Sequence, residues 1–271
     1  MAAIETILGF ATAPGAFPGV AVTMATGQSN QVRYFSQGKA YLMNAAKNSV
    51  SAIGGFRVTS PRLHDANQGI TLQVPFQDVG SRWPLGTIQP LVSQDTLTIN
   101  DYGTAVGGEI EQVGLTIYYD YLDSAPARLL TPQEVDDRTQ NVFTIRNSVA
   151  AGVAGGWSGS TALSAVTSGD LTYANTDYAL IGATGVGTAA ANNNFFLGVQ
   201  GIDTGNLIIG LPVSANDPTT SARYFRHLSE FSGRACIPVI NSANKGGTFI
   251  YVGNTSVANT TVYSLIFAQL R

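Results

Sequence analysis

The 271-residue chain is 44% apolar and only 11% charged, under half of the roughly 25% charge usual in soluble domains. Its net charge of −3 and pI near 5.3, with Lys and Arg scattered, argue against a nucleic-acid binder, which needs clustered cations. No window approaches the ~18 unbroken apolar residues of a membrane-spanning helix, so the low charge points either to a surface covered by further copies of the chain or to a neutral wet surface of Gly, Ser, Thr, Asn and Gln.

The length suits one large β domain or two ordinary ones, with a sizeable core either way. The opening "MAAIETILGFATAPGAFPGV" lacks a basic n-region and has Glu5 where positive charge belongs. It reads as an ordered N-terminal arm over residues 1–20 and not as a signal peptide. If helical, the arm lines up Ile4, Ile7, Leu8 and Phe10 as an apolar stripe. "NQVRYFSQGKAYLMNAAKN" (30–48) reads as a helix, periodic from Ala40 to Ala46 and weak at Gly38.

The densest set of ionisable groups lies in "FRVTSPRLHDANQGITLQVPF" (56–76). A His beside an Asp suggests general-base chemistry, with Ser60 as the nucleophile. Adjacent residues of an extended chain point apart, however, so His64 and Asp65 do not meet. "HDANQG" instead supplies turn residues before a strand at 69–76. Asp65 is expected to cap a backbone amide there, and Arg62 to pair with a carboxylate or a neighbouring subunit. "GSRWPLG" places Arg82 beside Trp83 in a loop, two residue types enriched at interfaces. "DTLTIN" (95–100) and "EIEQVGLTIYYDYL" (109–122) alternate as strands. Glu109 and Glu111 share a strand face that could hold a cation, and a solvated edge is the plainer account.

"TPQEVDDRTQNVFTIRNSVAAG" (131–152) reads as a helix. Thr131 caps it, Pro132 suits the first position, Glu134 completes a capping box, and the acidic "EVDD" complements the macrodipole. A Gly-, Ala-, Ser- and Thr-rich stretch (150–176) reads as an exposed loop. Within it "GGWSGS" is not GxSxG and lacks the preceding apolar strand of a nucleophile elbow. "GATGVGTAA" (182–190) lacks phosphate-loop spacing and reads as a loop tip. "DYALIGA", "NNFFLGVQG", "NLIIGLPV", "ACIPVI", "GTFIYVG" and "TTVYSLIFAQL" read as strands. "DPTTSARYFRHLSEFSG" (217–233) reads as a helix ending at Gly233. His227 within it has a packing or surface role, and no paired histidines or cysteines suit a transition metal. The single cysteine, Cys236, excludes an internal disulfide and reads as a buried hydrophobe in a strand. The sequons at Asn254 and Asn259 carry no weight without a secretory signal.

The two halves repeat a pattern. "GITLQVPF" (69–76) matches "NLIIGLPV" (206–213), "SQDTLTINDYGT" (93–104) matches "NKGGTFIYVGNT" (244–255), and "EIEQVGLTIYYDYL" matches "NTTVYSLIFAQL" (259–270). The second half carries an extra helix, "SARYFRHLSEFSG". The "RYF" triplets at 33–35 and 223–225 fall at different points and are no part of the repeat. The expectation is an all-β chain of two tandem sandwiches with a few short helices, and no active site.

On these paired strands the chain resembles the double jelly-roll major capsid proteins of tailless, membrane-containing bacterial viruses. The resemblance covers most of the chain in architecture and rests on no diagnostic motif. It implies two jelly-roll-like sandwiches, the first over 21–125 and the second over 177–271, joined by a helix-containing connection and loop over 126–176. It also implies a coat protein without enzymatic activity or cofactor, assembled in the host cytoplasm. Its copies would form homotrimeric, pseudo-hexagonal capsomers in an icosahedral virion shell, with other virion proteins as partners. The N-terminal arm would face inward, toward a neighbour or an internal membrane. Subunit contacts are expected at Arg82, Trp83, Tyr102, Trp157 and Tyr251. The alternative is a β-sandwich receptor- or glycan-binding virion protein, with "NDYG" (100–103) near a shallow groove. A hydrolase on a β scaffold is the remaining class, carried by Ser158 or His64.

Overall fold

Period-two alternation implies a sheet with one wet face, and continuous apolar runs imply a strand covered on both faces. Both kinds occur, and they sort by layer. The structure is a computed structural model that describes residues 1–12, 15–48, 54–65, 68–74, 79–82, 88–103, 110–149, 155–166, 168–187, 194–215, 217–253 and 260–271. The side chains of 79–82 and 158 lie outside that description.

The first half contains β1 (Ala3–Thr12), β2 (Val20–Ala21), β3 (Thr23–Met24), β4 (Ala40–Asn48), β5 (Gly54–Thr59), β6 (Ile70–Val74), β7 (Val79–Arg82), β8 (Gln89–Leu91), β9 (Thr98–Gly103) and β10 (Ile110–Tyr119). The second half contains β11 (Leu129–Leu130), α1 (Pro132–Arg138), β12 (Thr139–Val149), β13 (Trp157–Ala162), β14 (Asp177–Gly187), β15 (Phe195–Gln200) and β16 (Ile209–Val213). It closes with α2 (Pro218–Ala222), α3 (Tyr224–Ser232), β17 (Ile237–Asn241), β18 (Phe249–Gly253) and β19 (Thr261–Leu270).

Each half forms two antiparallel sheets. The first half gives β3-β1-β10-β4-β7, with β8 also on β4, and β2-β9-β5-β6. The second gives β11-β17-β14-β19-β12 and β13-β18-β15-β16. Lettering the main strands B to I in chain order makes β1, β2, β4, β5, β6, β7, β9 and β10 the first set. The second set is β12 to β19. Both sets then read B-I-D-G against C-H-E-F, the jelly-roll order. The chain is two jelly-roll-like sandwiches in tandem, and the three sequence matches fall on equivalent strands: F with F, H with H, and I with I.

The sandwiches stack face to face. Ile7, Leu42, Val113 and Leu115 point into the first core toward Phe56, Val58 and Ile99. Leu197, Ile209 and Val252 point into the second core toward Leu180, Leu265 and Phe267. The opposite faces of the first B-I-D-G sheet and the second C-H-E-F sheet meet through Leu8, Ala46 and Phe196. Small residues permit that approach. A Cβ on Gly114 would lie 2.5 Å from Phe196, and one on Gly210 would lie 2.8 Å from Thr6.

This stacking overturns two expectations. Residues 3–12 are β1, a strand hydrogen-bonded to both β3 and β10, and not an arm. Ile4, Ile7 and Leu8 are buried there and Phe10 is half-buried, so the stripe is core and not an inward-facing surface. Residues 40–48 are β4 and not helix, and the whole strand is buried. Both runs lack alternation because a sandwich covers each face.

The helix expected over 131–152 lasts only through α1. Its capping box is present: Glu134 N–H donates to Thr131 Oγ1 (3.3 Å), and Thr131 N–H donates to Glu134 Oε2 (2.8 Å). From Thr139 the chain becomes β12, paired along its length with β19. The stretch assigned to an exposed loop contains β13, paired with β18. Strands B and C of the second sandwich therefore lie within residues first placed in the connection. The helix of 217–233 forms as α2 and α3, broken at Arg223, and Gly233 adopts the left-handed conformation at its end (φ 67°). The insertion joins strands F and G of the second sandwich.

Candidate functional site

Five places concentrate polar chemistry, beginning with the turn that follows β5. Ser60 N–H donates to His64 Nδ1 (3.0 Å), and the Ser60 hydroxyl donates to buried Asp95. Gln68 N–H donates to Asp65 Oδ1 (3.0 Å), the Arg62 guanidinium donates to the Ser93 carbonyl (3.1 Å), and the Arg62 backbone N–H donates to Asp95 Oδ2 (3.4 Å). The imidazole nitrogen nearest Ser60 accepts from a backbone amide, so His64 is not aimed at the hydroxyl, whose partner is the Asp95 carboxylate. The cluster dresses a turn. Among the described residues no group of three His, Cys, Asp or Glu side chains could hold a metal, and no helix is long and apolar enough to cross a membrane.

At the end of the stack where β12 begins and β19 finishes, an open cleft of about 640 Å³ is lined by Arg128, Arg138, Tyr173, Asp177 and Arg271. Arg128 grips Asp177 with both nitrogens (3.0 and 2.6 Å) and approaches Asp203 at 3.5 Å. Burial pushes the Asp177 carboxyl up, but hydrogen bonds from Arg128 and Asn241 outweigh it and hold the group below the usual carboxylate range. Asp177 is thus charged and already bonded, which suits a structural joint and not proton transfer. Both chain termini sit at this end: Leu122 N–H donates to Met1 O, and Arg271 N–H donates to Arg138 O.

A second cleft, of about 360 Å³, opens between the sandwiches beside Glu5, Arg33, Trp157, Gln200 and Tyr251. Arg33 donates twice to Glu5 (2.8 and 2.6 Å), and Tyr251 Oη donates to Gln200 Oε1 (2.9 Å). The structure thus brings together Trp157 and Tyr251 of the expected contact residues, both half-buried. Tyr102 is not with them. It is buried, with its ring edge-on to Phe17 (5.3 Å), so the exposed-aromatic reading fails there. Arg82 ends β7 and is not in a loop. Its side chain and all of Trp83 lie outside the described residues, as do Glu109, Asn254, Asn259, residues 188–193 and the Ser158 side chain.

The fourth place is the seam between the sandwiches, which one polar chain crosses. Gly210 N–H donates to Thr6 Oγ1 (2.8 Å), which lies 3.3 Å from Thr116 Oγ1. Thr116 Oγ1 lies 3.0 Å from Tyr224 Oη, and that hydroxyl accepts from Asn44 Nδ2 (2.9 Å). Gly210 and Tyr224 belong to the second sandwich, and the other three to the first. Burial pushes the Tyr224 phenol up to about 12, so it stays protonated. Arg234 adds a cation–π contact over Tyr41 (4.1 Å) and an ion pair with Asp120 (3.3 Å). The helical insertion therefore clamps the two halves.

The fifth place was missed in the sequence. Lys47, Asp101 and Glu111 meet inside the first sandwich with no side-chain exposure. The solvated-edge account of Glu111 is wrong, because Glu111 faces the core and pairs with Lys47. The available signal was charge at inward positions of apolar strands: Lys47 shares its face with Ala45, and Glu111 shares its face with Val113.

No family model matches the chain, and no curated protein matches it. Among solved structures it is similar to a chain from work on the triple jelly roll fold and turret assembly in an archaeal virus, at 8% identity and TM-score 0.25, over 99% of this chain and 79% of that one. It is also similar to a chain of Sulfolobus Turreted Icosahedral Virus, at 11% identity and TM-score 0.21, over 98% and 90%. A third likeness is to a T=1 Penaeus vannamei nodavirus chain, at 10% identity and TM-score 0.20, over 97% of each. TM-scores of this size carry no weight, and the fold stands on the strand order itself.

Proposed function

We propose that the chain is a viral coat subunit, a double jelly-roll major capsid protein. Three copies would present six sandwiches as a pseudo-hexagonal capsomer of an icosahedral shell. The observation that supports this most is the duplicated B-I-D-G/C-H-E-F order in one chain, with the two sandwiches stacked so that their strands end together. One end gathers both termini. At the other, Asn48 of β4 donates to the Asn194 carbonyl beside β15 (2.6 Å). A subunit of this shape tiles by its sides, and symmetry multiplies modest low-charge contacts into a lattice.

The assembly would form in the host cytoplasm and reside in the virion, with other virion proteins as partners and no enzymatic role. Kinship with the membrane-containing bacterial viruses belongs to the same proposal. A membrane contact through an N-terminal arm does not, because β1 occupies that segment. Arg82, Trp83, Trp157 and Tyr251 are the contact residues proposed.

The test is the solution mass of purified protein by light scattering. A trimer near three times 28.4 kDa, or larger closed particles, is expected. A stable monomer under every assembly condition would overturn the reading. Such a monomer would favour the glycan-binding alternative, for which the cleft of Trp157 and Tyr251 is the place to screen. Its polar walls already bond one another, so a sugar would have to displace those contacts.

A further inference from the structure

Lys47 lies on β4, Glu111 on β10 and Asp101 on β9, so the trio spans the two facing sheets of the first sandwich. Lys47 Nζ is 2.5 Å from Asp101 Oδ1 and 2.5 Å from Glu111 Oε2, and all three side chains are fully buried. The carbonyls of Gly55 and Tyr102, each at 3.1 Å, hold the same nitrogen in place. One ammonium and two carboxyls leave an excess negative charge in an apolar interior, unless a proton is retained. Such a trio costs more than apolar residues of equal volume would, so its role is not simple stabilisation.

Burial pushes Asp101 up to about 7 against the pull of Lys47, and Glu111 beside it pushes the same way. Near neutral pH Asp101 thus spends much of its time as an uncharged acid, the form whose carbon accepts a nucleophile. A dry site that holds an amine against a neutral carboxyl, with a second carboxylate touching the nitrogen, has the parts for condensation.

We propose that Lys47 and Asp101 become joined by an intramolecular isopeptide bond, with Glu111 as the proton carrier. Glu111 takes a proton from the Lys47 ammonium and frees the lone pair. The nitrogen attacks Asp101 Cγ to form a tetrahedral intermediate. The Nζ–Cγ bond is made, the Cγ–OH bond breaks, and the nitrogen gives up a second proton. Of the two protons lost by nitrogen, one departs with the hydroxyl as water and the other stays on Glu111. No oxidant, reductant or cofactor takes part. The proximity fixed by the two sheets supplies an effective concentration of about 10⁵–10⁸ M for such oriented pairs. The bond would stitch β4 to β9 across the core, a cross-brace against separation of the sheets. It is independent of the shell assignment, and either can fail without the other.

The test is mass spectrometry of the denatured, folded-then-digested full chain. The wild type is expected to yield a branched peptide joining the segments of Lys47 and Asp101, about 18 Da lighter than their sum, for loss of one water. Asp101→Asn should give the same branch with about 17 Da lost, because ammonia then leaves. Glu111→Gln should yield the separate peptides, with its fold checked by circular dichroism. Wild-type protein that is folded and gives only unlinked peptides overturns the proposal, whatever the variants do. A branch that forms equally in Glu111→Gln overturns the role of Glu111.

Discussion

Tyr224→Phe removes one oxygen from the seam and tests whether the helical insertion docks the sandwiches as described. The ring is fully buried and packs edge-on against Phe225 (5.2 Å), contacts that Phe retains. The lost hydroxyl takes with it the hydrogen bonds to Asn44 Nδ2 (2.9 Å) and Thr116 Oγ1 (3.0 Å). Each bond is worth about 0.5–1.5 kcal/mol net, and buried partners stripped of one add to the loss, so about 2–3 kcal/mol is expected. Tyr263→Phe is the internal control. It loses a single bond from Asn147 Nδ2 (3.0 Å) within the second sandwich, worth about 1 kcal/mol. Equilibrium urea unfolding measures both variants, and unchanged slopes would confirm that the comparison is of stability alone. Thr6→Val should couple to Tyr224→Phe in a double-mutant cycle, because Thr116 joins the two sites. A Tyr224→Phe cost no larger than that of Tyr263→Phe, or strict additivity with Thr6→Val, would refute the seam network.

Other consequences follow from individual sites. Thr131→Ala removes the cap of α1 and should cost about 1 kcal/mol, read as a lower melting temperature with strand content intact. Asp177 is held below its ordinary pKa of 3.8 in the folded chain, so its contribution is present above that pH and is lost as pH falls through the depressed value. Acid unfolding profiles of the wild type and Asp177→Asn should therefore converge at low pH and separate above about pH 4, with the variant the less stable. Burial pushes the Cys236 thiol up to about 11, so a thiol reagent at pH 8 should find it unreactive in native protein and reactive in denaturant. Rapid native labelling would place Cys236 outside the core.

How much of this was legible in the sequence depended on the layer a strand occupies. The last strand, β19, alternates buried with partly exposed residues, and β6 alternates too, because each belongs to an outer sheet. Their period showed directly, and so did the correspondence of F, H and I strands between the halves. The inner sheets carry no period. In β4 every residue is buried, and "AYLMNAAKN" satisfies a helical stripe as readily as a doubly covered strand. The same ambiguity made β1 look like an arm. α1 was visible through its capping box, but its end was not, since no glycine or proline stops it before Thr139. Of the site residues, Trp157 and Tyr251 share a cleft, while Tyr102 sits in the core. Charge at inward positions marked Lys47 and Glu111, but not their partnership with Asp101, which needs the pairing of β4 with β10 and the packing of β9 across the core.

The most direct test of the shell assignment is electron cryo-microscopy of particles assembled from this chain. The account predicts three-fold capsomers of six-lobed outline, each lobe one sandwich and both termini at the same radius. Assemblies with one lobe per chain, or with the two sandwiches of a chain at different radii, would contradict it.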